Sequence, residues 1–446
     1  MEIMELIHSA VDKNEQLILD AERYIWHNPE TGYKEFKTSA YMAEKFRELG
    51  YELNMAEGIT GFYTIIDTKK EGPEVLVLGE LDSIICPTHP ECDKETGAVH
   101  SCGHNAQSAA LLGIAAALKE PGALDTLSGK IRLCAVPAEE LLEIEYRSGL
   151  KAEGKIKYFG GKSEFLSRGY FDGVDIAIMI HTSSSFVVQG GSNGCIAKRI
   201  IYKGKAAHAG GAPNQGINAL YAANCGINAA NALRETFIDE ELIRFHPIIT
   251  SGGSMVNAIP DTVTMESYVR GKTYDAILRE NKKVNRALTG AALSMGANVE
   301  IIDNPGYAPL YNDQNMMALA KKAFELVFPN LELTYNEEKF SKGSTDMGDL
   351  SCIMPVVHPY AAGAKGTSHG SDYYIVNPID ACVNSAKWQL SMIYLLLSDS
   401  AKEAKKIKAG FTPMFATKED YLSYVDAICT SGDRIIYNDD GTATVR

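Results

Sequence analysis

A cysteine and a histidine lie two positions apart in a short glycine-containing loop, Cys102-Gly103-His104, just before an apolar helical pattern. Thiolate and imidazole are ligands that zinc-like ions prefer. Taken alone, a cysteine or a histidine is more often a packed core residue than a ligand. The pair therefore predicts a metal site only if further ligands converge on this loop from other regions of the chain.

Candidates for those ligands follow predicted strands. The strands are residues 61–66, 74–78, 131–136 and 174–180, and the polar residues that follow three of them are Asp82, Glu139, Glu140 and His181. Helical patterns between the strands indicate a largely parallel sheet covered on both faces. Because ligands bind at the carboxyl ends of the strands in such sheets, we expect these residues to converge.

The element order predicts a domain that is interrupted by a second unit. Helices over residues 3–26 and 35–49 open the chain, and a Gly/Ser-rich segment at 190–194 marks a boundary. Beyond it the chain reads as strand 196–202, helix 216–234, strands 243–250 and 258–270, helix 274–288 and strand 298–303. This β-α-β-β-α-β order is that of a ferredoxin-like unit.

After that unit the first pattern returns, with a helix at 313–326, a strand at 352–357 and a helix at 381–397. Residues 410–446 carry no motif that indicates a role. We therefore predict an α/β fold, with a mostly parallel-sheet catalytic domain formed by two segments, 1–192 and 305–446, and an inserted unit at 193–304.

Length and composition narrow the class of protein. At 446 residues the chain is long enough for two domains, and its net charge of −14 argues against nucleic acid or an anionic membrane as a partner. The nine cysteines show no disulfide spacing. The acidic start does not resemble a signal peptide, and no stretch reaches the length of a membrane span. These features favour a cytoplasmic, soluble, mixed globular protein.

A pair of divalent ions about 3.5–4 Å apart can activate a bridging water and polarise a carbonyl. Such a site needs several ligands and a nearby carboxylate that accepts the proton of the water. The required ligand types are supplied by Cys102, His104, Glu140, His181 and His369. Glu139, next to Glu140, would be the general base.

Short motifs that fit this chemistry occur in order from His27 to His369. They are His27-Asn28-Pro29-Glu30, Gly79-Glu80-Leu81-Asp82, Cys102-Gly103-His104-Asn105, Pro137-Ala138-Glu139-Glu140 and Ser344-Thr345-Asp346-Met347-Gly348-Asp349. On these motifs the chain resembles the dinuclear metallopeptidase family of aminoacylase, carboxypeptidase G and the hippurate and auxin-conjugate amidohydrolases. It looks most like the branch that contains p-aminobenzoyl-glutamate hydrolase.

The resemblance implies a zinc-peptidase-like catalytic domain with an inserted lid and dimerisation domain, and two divalent ions, zinc or manganese. It implies Cys102 as the bridging ligand, with the two sites completed by His104, Glu140, His181 and His369. Glu139 would be base and proton shuttle, and Asp82 would orient a ligand.

In the inserted unit, Gly204-Lys205-Ala206-Ala207-His208-Ala209 matches the family's lid motif. The resemblance implies that His208 reaches across a dimer to stabilise the oxyanion, and that Asn257 and Arg270 bind a substrate carboxylate. The implied activity is hydrolysis of an amide bond in an N-acyl or aminobenzoyl amino acid or small dipeptide. The enzyme would be a homodimer, or a pair with a homologous subunit.

Two departures from the family pattern affect these expectations. Asn105 stands where most of the wider subgroup has aspartate, which removes a negative charge near the metals and is expected to alter their affinity or identity. The sequence around His369 is Thr-Ser-His-Gly where Pro-Gly-His is expected, so His358 is the alternative last ligand. His246 is among the remaining histidines, which we interpret as structural or solvated.

Each assignment has a structural alternative. In the alternative for the loop, Cys102 is a buried thiol and His104 is a capped histidine. In the alternative for the glutamates, Glu139 and Glu140 form the solvated start of a helix. His181 would then bond a backbone carbonyl, while His208 would be a surface residue and Arg270 a salt-bridge residue. Two rival functions remain: Cys102 as a metal-independent nucleophile with a histidine base, and a degenerate relative or subunit that binds peptide-like ligands without turnover.

Overall fold

The computed structural model describes residues 2–446, with side chains from Glu5 onward. Met1, the first residue of the predicted catalytic segment 1–192, lies outside this range. Up to residue 192 the helices are α1 Glu2–Asp12, α2 Glu15–Trp26, α3 Phe36–Glu48, α4 His104–Ala117, α5 Ile144–Ala152 and α6 Gly161–Ser167. The strands are β1 Asn54–Met55, β2 Phe62–Asp67, β3 Glu74–Glu80, β4 Ile84–Ile85, β5 Ala98–Val99, β6 Lys130–Val136, β7 Ile176–Ile178, β8 His181–Thr182 and β9 Val187–Ser192.

The remaining elements follow in chain order. Helices are α7 Ala219–Ala232, α8 Tyr274–Ser294, α9 Gln314–Val327, α10 Met347–Ser351, α11 Ser385–Gly410, preceded by a π-helical turn at Ile379–Asn384, and α12 Lys418–Asp426. Strands are β10 Gly194–Lys203, β11 Arg244–Phe245, β12 Ile248–Ser251, β13 Thr262–Gly271, β14 Asn298–Tyr307, β15 Leu310–Tyr311, β16 Thr334–Ser341, β17 Val356–Val357, β18 Tyr360–Ala361, β19 Ala364–Lys365, β20 Tyr374–Ile375, β21 Ile435–Tyr437 and β22 Ala443–Val445.

The central sheet has the order β1-β2-β6-β3-β7-β17. The four strands from β6 to β17 are parallel, and β1 and β2 are antiparallel at one edge. All seven residues of β3 are buried, because helices cover both faces of the sheet. The predicted α/β fold with a mostly parallel sheet is therefore confirmed.

Alternate residues of β3 face two different cores. Val75 and Val77 pack with α1, α2, α4, α9 and α11, whereas Leu76 and Leu78 pack with α6, α10 and α12. Helix α4 is buried on all sides, which explains its many alanines and its lack of a polar face. This helix begins at His104, so its burial holds the Cys102 loop against the end of β3.

A second sheet, of the order β11-β13-β10-β14, is wholly antiparallel, with β12 also paired to β13. Helices α7 and α8 share its apolar core, and the succession of strands and helices is the ferredoxin-like one. Strand β14 continues to Tyr307, across the predicted boundary at 304/305. Ile428 and Ile435 of the C-terminal segment also enter this core.

A third sheet was not predicted. It joins β8, β9, β15, β16 and β18 around the Gly/Ser-rich segment that the sequence indicates as a boundary. Gly190 and Gly191 lie in β9, where a Cβ would collide with the carbonyl oxygens of Glu337 and Leu310. The glycines therefore permit close strand packing.

Three predicted elements were wrong in their extent. The helix predicted over 3–26 is two helices, because the Asn14 side chain donates to the carbonyl of Ala10 and competes with helix continuation. The strand predicted over 243–250 is split into β11 and β12 around Pro247, which has no N–H for the sheet. Cys352–Met354 form a turn after α10, so only Val356–Val357 of the segment 352–357 is a strand.

No helix within residues 2–446 is both long enough and apolar enough to cross a lipid bilayer.

Candidate metal centre

The Cys102 loop depends on the glycine at its middle. Gly103 has a φ of +90°, and a Cβ there would collide with Thr182 Oγ1 and Tyr373 Oη. Only glycine fits both the backbone conformation and the space. The two residues that flank it, Cys102 and His104, are buried where the loop meets α4.

Two groups of possible ligands meet at Cys102. One is Cys102, His104 and His181, and the other is Cys102, Glu140 and His369; in each group one ligand atom per residue lies within 4.8 Å of the others. Cys102 Sγ is 3.3 Å from His181 Nε2, and His369 Nε2 is 3.1 Å from Glu140 Oε1. The geometry thus brings together all five residues named from the sequence as ligands, with the thiol common to both groups.

Neighbouring oxygens fix the orientation of two of the imidazoles. His104 Nδ1 donates to the Asp82 carbonyl at 2.9 Å and lies 3.2 Å from Asp82 Oδ1, while Asp82 Oδ2 accepts the Glu140 N–H at 2.7 Å. His181 Nδ1 donates to the Thr182 carbonyl at 2.8 Å. Each ring therefore directs Nε2 inward, the arrangement by which a second residue orients a metal ligand.

The turn that carries Glu139 and Glu140 is strained. Ala138 has a φ of +57°, which is unusual for a residue with a Cβ. The turn is held by side chains that donate to its carbonyls: Tyr307 to Glu139 and Arg147 to Glu140. Neither Tyr307 nor Arg147 was indicated by the sequence, since each lies far from the motif and contacts its backbone.

Electrostatics at the centre follow from burial among charges. Burial, and then the carboxylates of Glu80 and Glu140, raise the pKa of Glu139 well above its usual value. Burial alone would disfavour the Cys102 thiolate, but the adjacent His181 and His104 lower its pKa to about 6. Carboxylate, thiolate and imidazole are thus concentrated in one buried place, as a cation site requires.

A buried ion-pair network next to these groups was missed. Lys162 Nζ donates to Glu80 Oε1 at 2.5 Å and to Asp346 Oδ1, and all three side chains are inaccessible to solvent. Glu80 Oε2 is 3.3 Å from His104 Nε2, and neither atom has a hydrogen-bond partner. Glu80 is two residues before Asp82 at the end of the same strand, a spacing that places both on one side and is the signal that could have identified it.

A cavity of about 450 Å³ lies beside the ligand groups. Cys102, Glu139 and His369 line it together with Arg270, whose Nη1 is 3.4 Å from Ser344 Oγ. His358 also lines the cavity, but it is not in either group around Cys102, and burial lowers its pKa to about 3. The geometry therefore favours His369 over His358 beside Glu140.

His208 and Asn257 lie elsewhere, on two adjoining segments of the second sheet's loops. The backbone of His208 bridges to Ala258, and the Ala209 N–H donates to the Asn257 carbonyl at 2.9 Å. Neither residue lines the cavity of its own chain. His208 Nδ1 accepts the N–H groups of Gly210 and Gly211, which leaves Nε2 to carry the proton.

Asn105 contacts a residue that the sequence did not connect with it. Its Nδ2 donates to Glu22 Oε1 of α2 at 2.6 Å, and both side chains are buried.

Comparison with known proteins defines the class. Residues 76–394 match the sequence model of peptidase family M20/M25/M40. The chain belongs to this family, and it is a hydrolase of amide or peptide bonds. The resemblance noted from the motifs is therefore confirmed.

Named relatives have several activities. The N-acetyl-L-cysteine deacetylase of Bacillus subtilis is 30% identical, over 69% of this chain and 72% of the relative. The human Xaa-Arg dipeptidase is 27% identical, over 82% of this chain and 81% of the relative. One subunit of the p-aminobenzoyl-glutamate hydrolase of Escherichia coli is 26% identical, over 67% of this chain and 60% of the relative.

A solved structure from Bacillus subtilis, described as a dinuclear metal-binding peptidase of the M20 family, has the same fold. It superposes with a TM-score of 0.62 at 20% identity and covers 86% of this chain and 99% of that one.

Proposed function

We propose that this chain cleaves the amide bond of an N-acyl or aminobenzoyl amino acid or a small dipeptide whose carboxylate is free. The observation that carries the proposal is the pair of ligand groups that share Cys102 beside a cavity lined by Arg270. The deacetylase, dipeptidase and aminobenzoyl-glutamate hydrolase among the relatives act on substrates of this class.

The residues fit two divalent ions, zinc or manganese, because buried His104 Nε2 lacks any hydrogen-bond partner and faces thiolate and carboxylate groups. His104 and His181 would hold one ion, Glu140 and His369 the other, and Cys102 both. When bound, the ions supply Lewis-acid activation of a water and of the scissile carbonyl.

Glu139 is the proposed base. It lines the cavity, and its Oε2 is 3.8 Å from His104 Nε2, so its carboxylate lies at the edge of the ligand groups and faces the place where substrate binds. It takes the proton from the attacking water and delivers it to the leaving amine. Asp82 keeps His104 and the Glu140 backbone in position.

Arg270 is the proposed anchor for the substrate carboxylate, since its guanidinium can form two parallel hydrogen bonds. His208 and Asn257 lie outside this chain's cavity, which supports a homodimer in which the partner copy supplies them. The Nε2–H of His208 is then available to the developing oxyanion. The division into two catalytic segments, 1–192 and 305–446, and a lid at 193–304 belongs to the same proposal.

We also propose a cytoplasmic location, because the nine cysteines are unpaired, as is typical of a reducing compartment.

The test is the substitution Glu139→Gln in protein reconstituted with zinc or manganese. A panel of N-acetyl amino acids, dipeptides and p-aminobenzoyl-glutamate is assayed, and bound metal is measured by elemental analysis. Turnover is expected to fall about 10²–10⁴-fold with unchanged metal content. The control is Glu145→Gln, since this side chain is exposed and pairs with Arg199.

Near-normal turnover of Glu139→Gln with metals bound would refute the role of Glu139. Full activity after chelation would favour Cys102 as a nucleophile. Near-zero metal after reconstitution, together with no turnover, would favour a binding protein.

A further inference from the structure

The second sheet has one face that its own helices leave open. Side chains alternate along a strand, so Phe245 and Val269 point toward α7 and α8 and are buried. The alternate residues point the other way and line a cleft of about 390 Å³. Strand β13 contributes Glu266, Tyr268 and Arg270 to this cleft, and the segment from β11 to β12 contributes Arg244, His246 and Ile248. Ile144 and Lys342 also line this cleft.

Two arginines stand directly opposite each other on this face. Arg244 of β11 is the register partner of Arg270 of β13. Opposed residues on antiparallel strands have Cβ atoms about 4.5–5.5 Å apart, and like charges at such positions are destabilising. A sheet that keeps two guanidinium groups side by side is adapted to an anion that lies between or over them.

No carboxylate of the described residues forms an ion pair with these groups. Arg244 Nη1 donates to the carbonyl of Ile243 at 2.7 Å, and Arg270 Nη1 contacts Ser344 Oγ. Among the side chains described, those of residues 5–446, Arg244, Arg270 and Lys342 are absent from the ion pairs closer than 4.0 Å, whereas the buried carboxylates of Glu74, Glu80, Asp303 and Glu280 each have a cationic partner.

Glu266 is the one acidic residue that lines the cleft. Its register partner across the sheet is Arg199 of β10, on the side away from Arg244. Arg199 Nη2 is also paired with Glu145 at 2.7 Å. Glu266 therefore lies next to a different arginine. Arg270 lies over the Tyr268 ring at 5.0 Å, and neither Arg244 nor Arg270 forms an ion pair with a carboxylate of the described residues.

The cleft adjoins the metal-centre cavity, with which it shares two lining residues. Tyr268 and Arg270 line both, and Ser341 and Gly343, on either side of Lys342, line the metal-centre cavity. Moving outward across the sheet, Cys195 of β10 lines the metal-centre cavity, Arg270 of β13 lines both, and Arg244 of β11 lines the outer cleft. Because Arg244 and Arg270 are register partners on neighbouring strands about 4.8 Å apart, both guanidinium groups can contact one dicarboxylic amino acid.

We propose that Arg244, His246 and Lys342 form a second anion subsite next to Arg270, and that the enzyme prefers N-acyl derivatives of aspartate or glutamate. The inference rests on the proposed function and names its substrate class. The α-carboxylate of the released amino acid binds Arg270, and its side-chain carboxylate binds Arg244 and Lys342. In a chain of net charge −14, a local cluster of cations is what draws a dianionic substrate toward this cleft.

The test compares kcat/KM of the metal-loaded enzyme for N-acetyl-glutamate, its neutral isostere N-acetyl-glutamine, succinyl-alanine and N-acetyl-lysine. We expect at least a tenfold preference for N-acetyl-glutamate over N-acetyl-glutamine, because a charge-assisted bidentate contact is present for only one of them. Arg244→Met should abolish the preference mainly through KM, and Arg244→Glu should shift it toward N-acetyl-lysine. Arg199→Met is the matched control, since this arginine of the neighbouring strand is already paired, and it should keep the preference.

Equal rates for N-acetyl-glutamate and N-acetyl-glutamine, or an Arg244→Met enzyme that keeps the preference, would overturn the inference while the proposed function stands. A preference for succinyl-alanine would place the second carboxylate on the acyl side and overturn the assignment to the amino acid. If none of these four compounds and none of the dipeptides or p-aminobenzoyl-glutamate of the first panel is hydrolysed, the proposed function fails, and calorimetric titration then tests the subsite by itself. Tighter binding of N-acetyl-glutamate than of N-acetyl-glutamine, lost in Arg244→Met, would support it, and equal binding would overturn it.

Discussion

Asn105 and Glu22 form a buried amide–carboxylate pair, and the substitution Asn105→Asp would convert it into two carboxylates. The Nδ2 and Oε1 atoms are 2.6 Å apart, and the two side chains are 0% and 1% exposed, so water cannot separate the charges. Arg23, whose guanidinium forms an ion pair with the Glu22 carboxylate, is the cation that offsets part of the repulsion. The substitution also restores the aspartate that most of the wider subgroup has in its Cys-Gly-His-Asp motif. Stability, measured in the metal-free protein, reports on the contact with Glu22.

The expected loss of stability can be calculated in two independent ways. Two unit charges 4 Å apart repel by about 4 kcal/mol at an effective dielectric constant of 20. Alternatively, one carboxyl stays protonated at pH 7, about three units above its usual pKa near 4. Each unit costs about 1.4 kcal/mol, so the protonated carboxyl costs about 4 kcal/mol in total. Because Arg23 already pairs with Glu22, we expect Asn105→Asp to lower the free energy of unfolding at pH 7 by no more than about 4 kcal/mol.

The pH dependence has a definite sign. In the variant, the shared site raises the folded-state pKa of a carboxyl above its unfolded value. Stability from such a group is fully present below the unfolded pKa and is lost as pH rises through the folded pKa. The deficit should thus shrink by about 1.4 kcal/mol per pH unit from pH 7 toward pH 5, where the protonated carboxyl donates to its neighbour.

Urea denaturation at pH 7 and pH 5, followed by tryptophan fluorescence, measures the deficit. The double variant Glu22→Gln with Asn105→Asp is the control, because it reverses the amide–carboxylate pair and should recover most of the lost stability. A deficit below about 1 kcal/mol at pH 7, or one that does not change with pH, would refute the reasoning.

Two further substitutions test the support of the centre. Gly103→Ala should lower both the melting temperature and the amount of bound metal, because its Cβ would collide with Thr182 and Tyr373. The control is Gly154→Ala, where φ is +71° and the surrounding space is open. This control should lower the free energy of unfolding by only about 1 kcal/mol. Lys162→Met should lower the free energy of unfolding in urea by about 3–5 kcal/mol, because it leaves Glu80 and Asp346 buried without a cation. Adding Asp346→Asn should recover some of that loss, and exposed Lys155→Met should change stability by less than about 0.5 kcal/mol.

Features that leave a local signal were predictable from the sequence. The run Val75–Leu78 is continuously apolar because both faces of its strand are covered, and this is visible without the structure. The ligand candidates could be identified from the sequence because each lies at a strand end or in a glycine-containing loop. The order of elements between residues 194 and 307 likewise indicated the ferredoxin-like unit.

Features that depend on pairing between distant segments were not predictable. Lys162 is 82 residues from Glu80 and 184 from Asp346, and nothing around it distinguishes it from a surface lysine. Strands β8 and β18 have two residues each, too few for an alternating pattern, and form by pairing with each other and, for β18, with β9. The contact of Asn105 with Glu22 likewise requires that α2 pack on α4.

The charges around the centre explain why Asn105 and Glu80 occur together. Glu80 places a fully buried carboxylate beside His104, and although burial alone would raise its pKa, Lys162 holds that pKa at about 2, so the group stays ionised. Asn105 adds no charge and, together with Arg23, binds a second buried carboxylate, that of Glu22. From the sequence, Asn105 suggested a change in metal affinity. Its contact indicates that the side chain at this position pairs with α2, whereas the carboxylates close to His104 are those of Glu80 and Asp82.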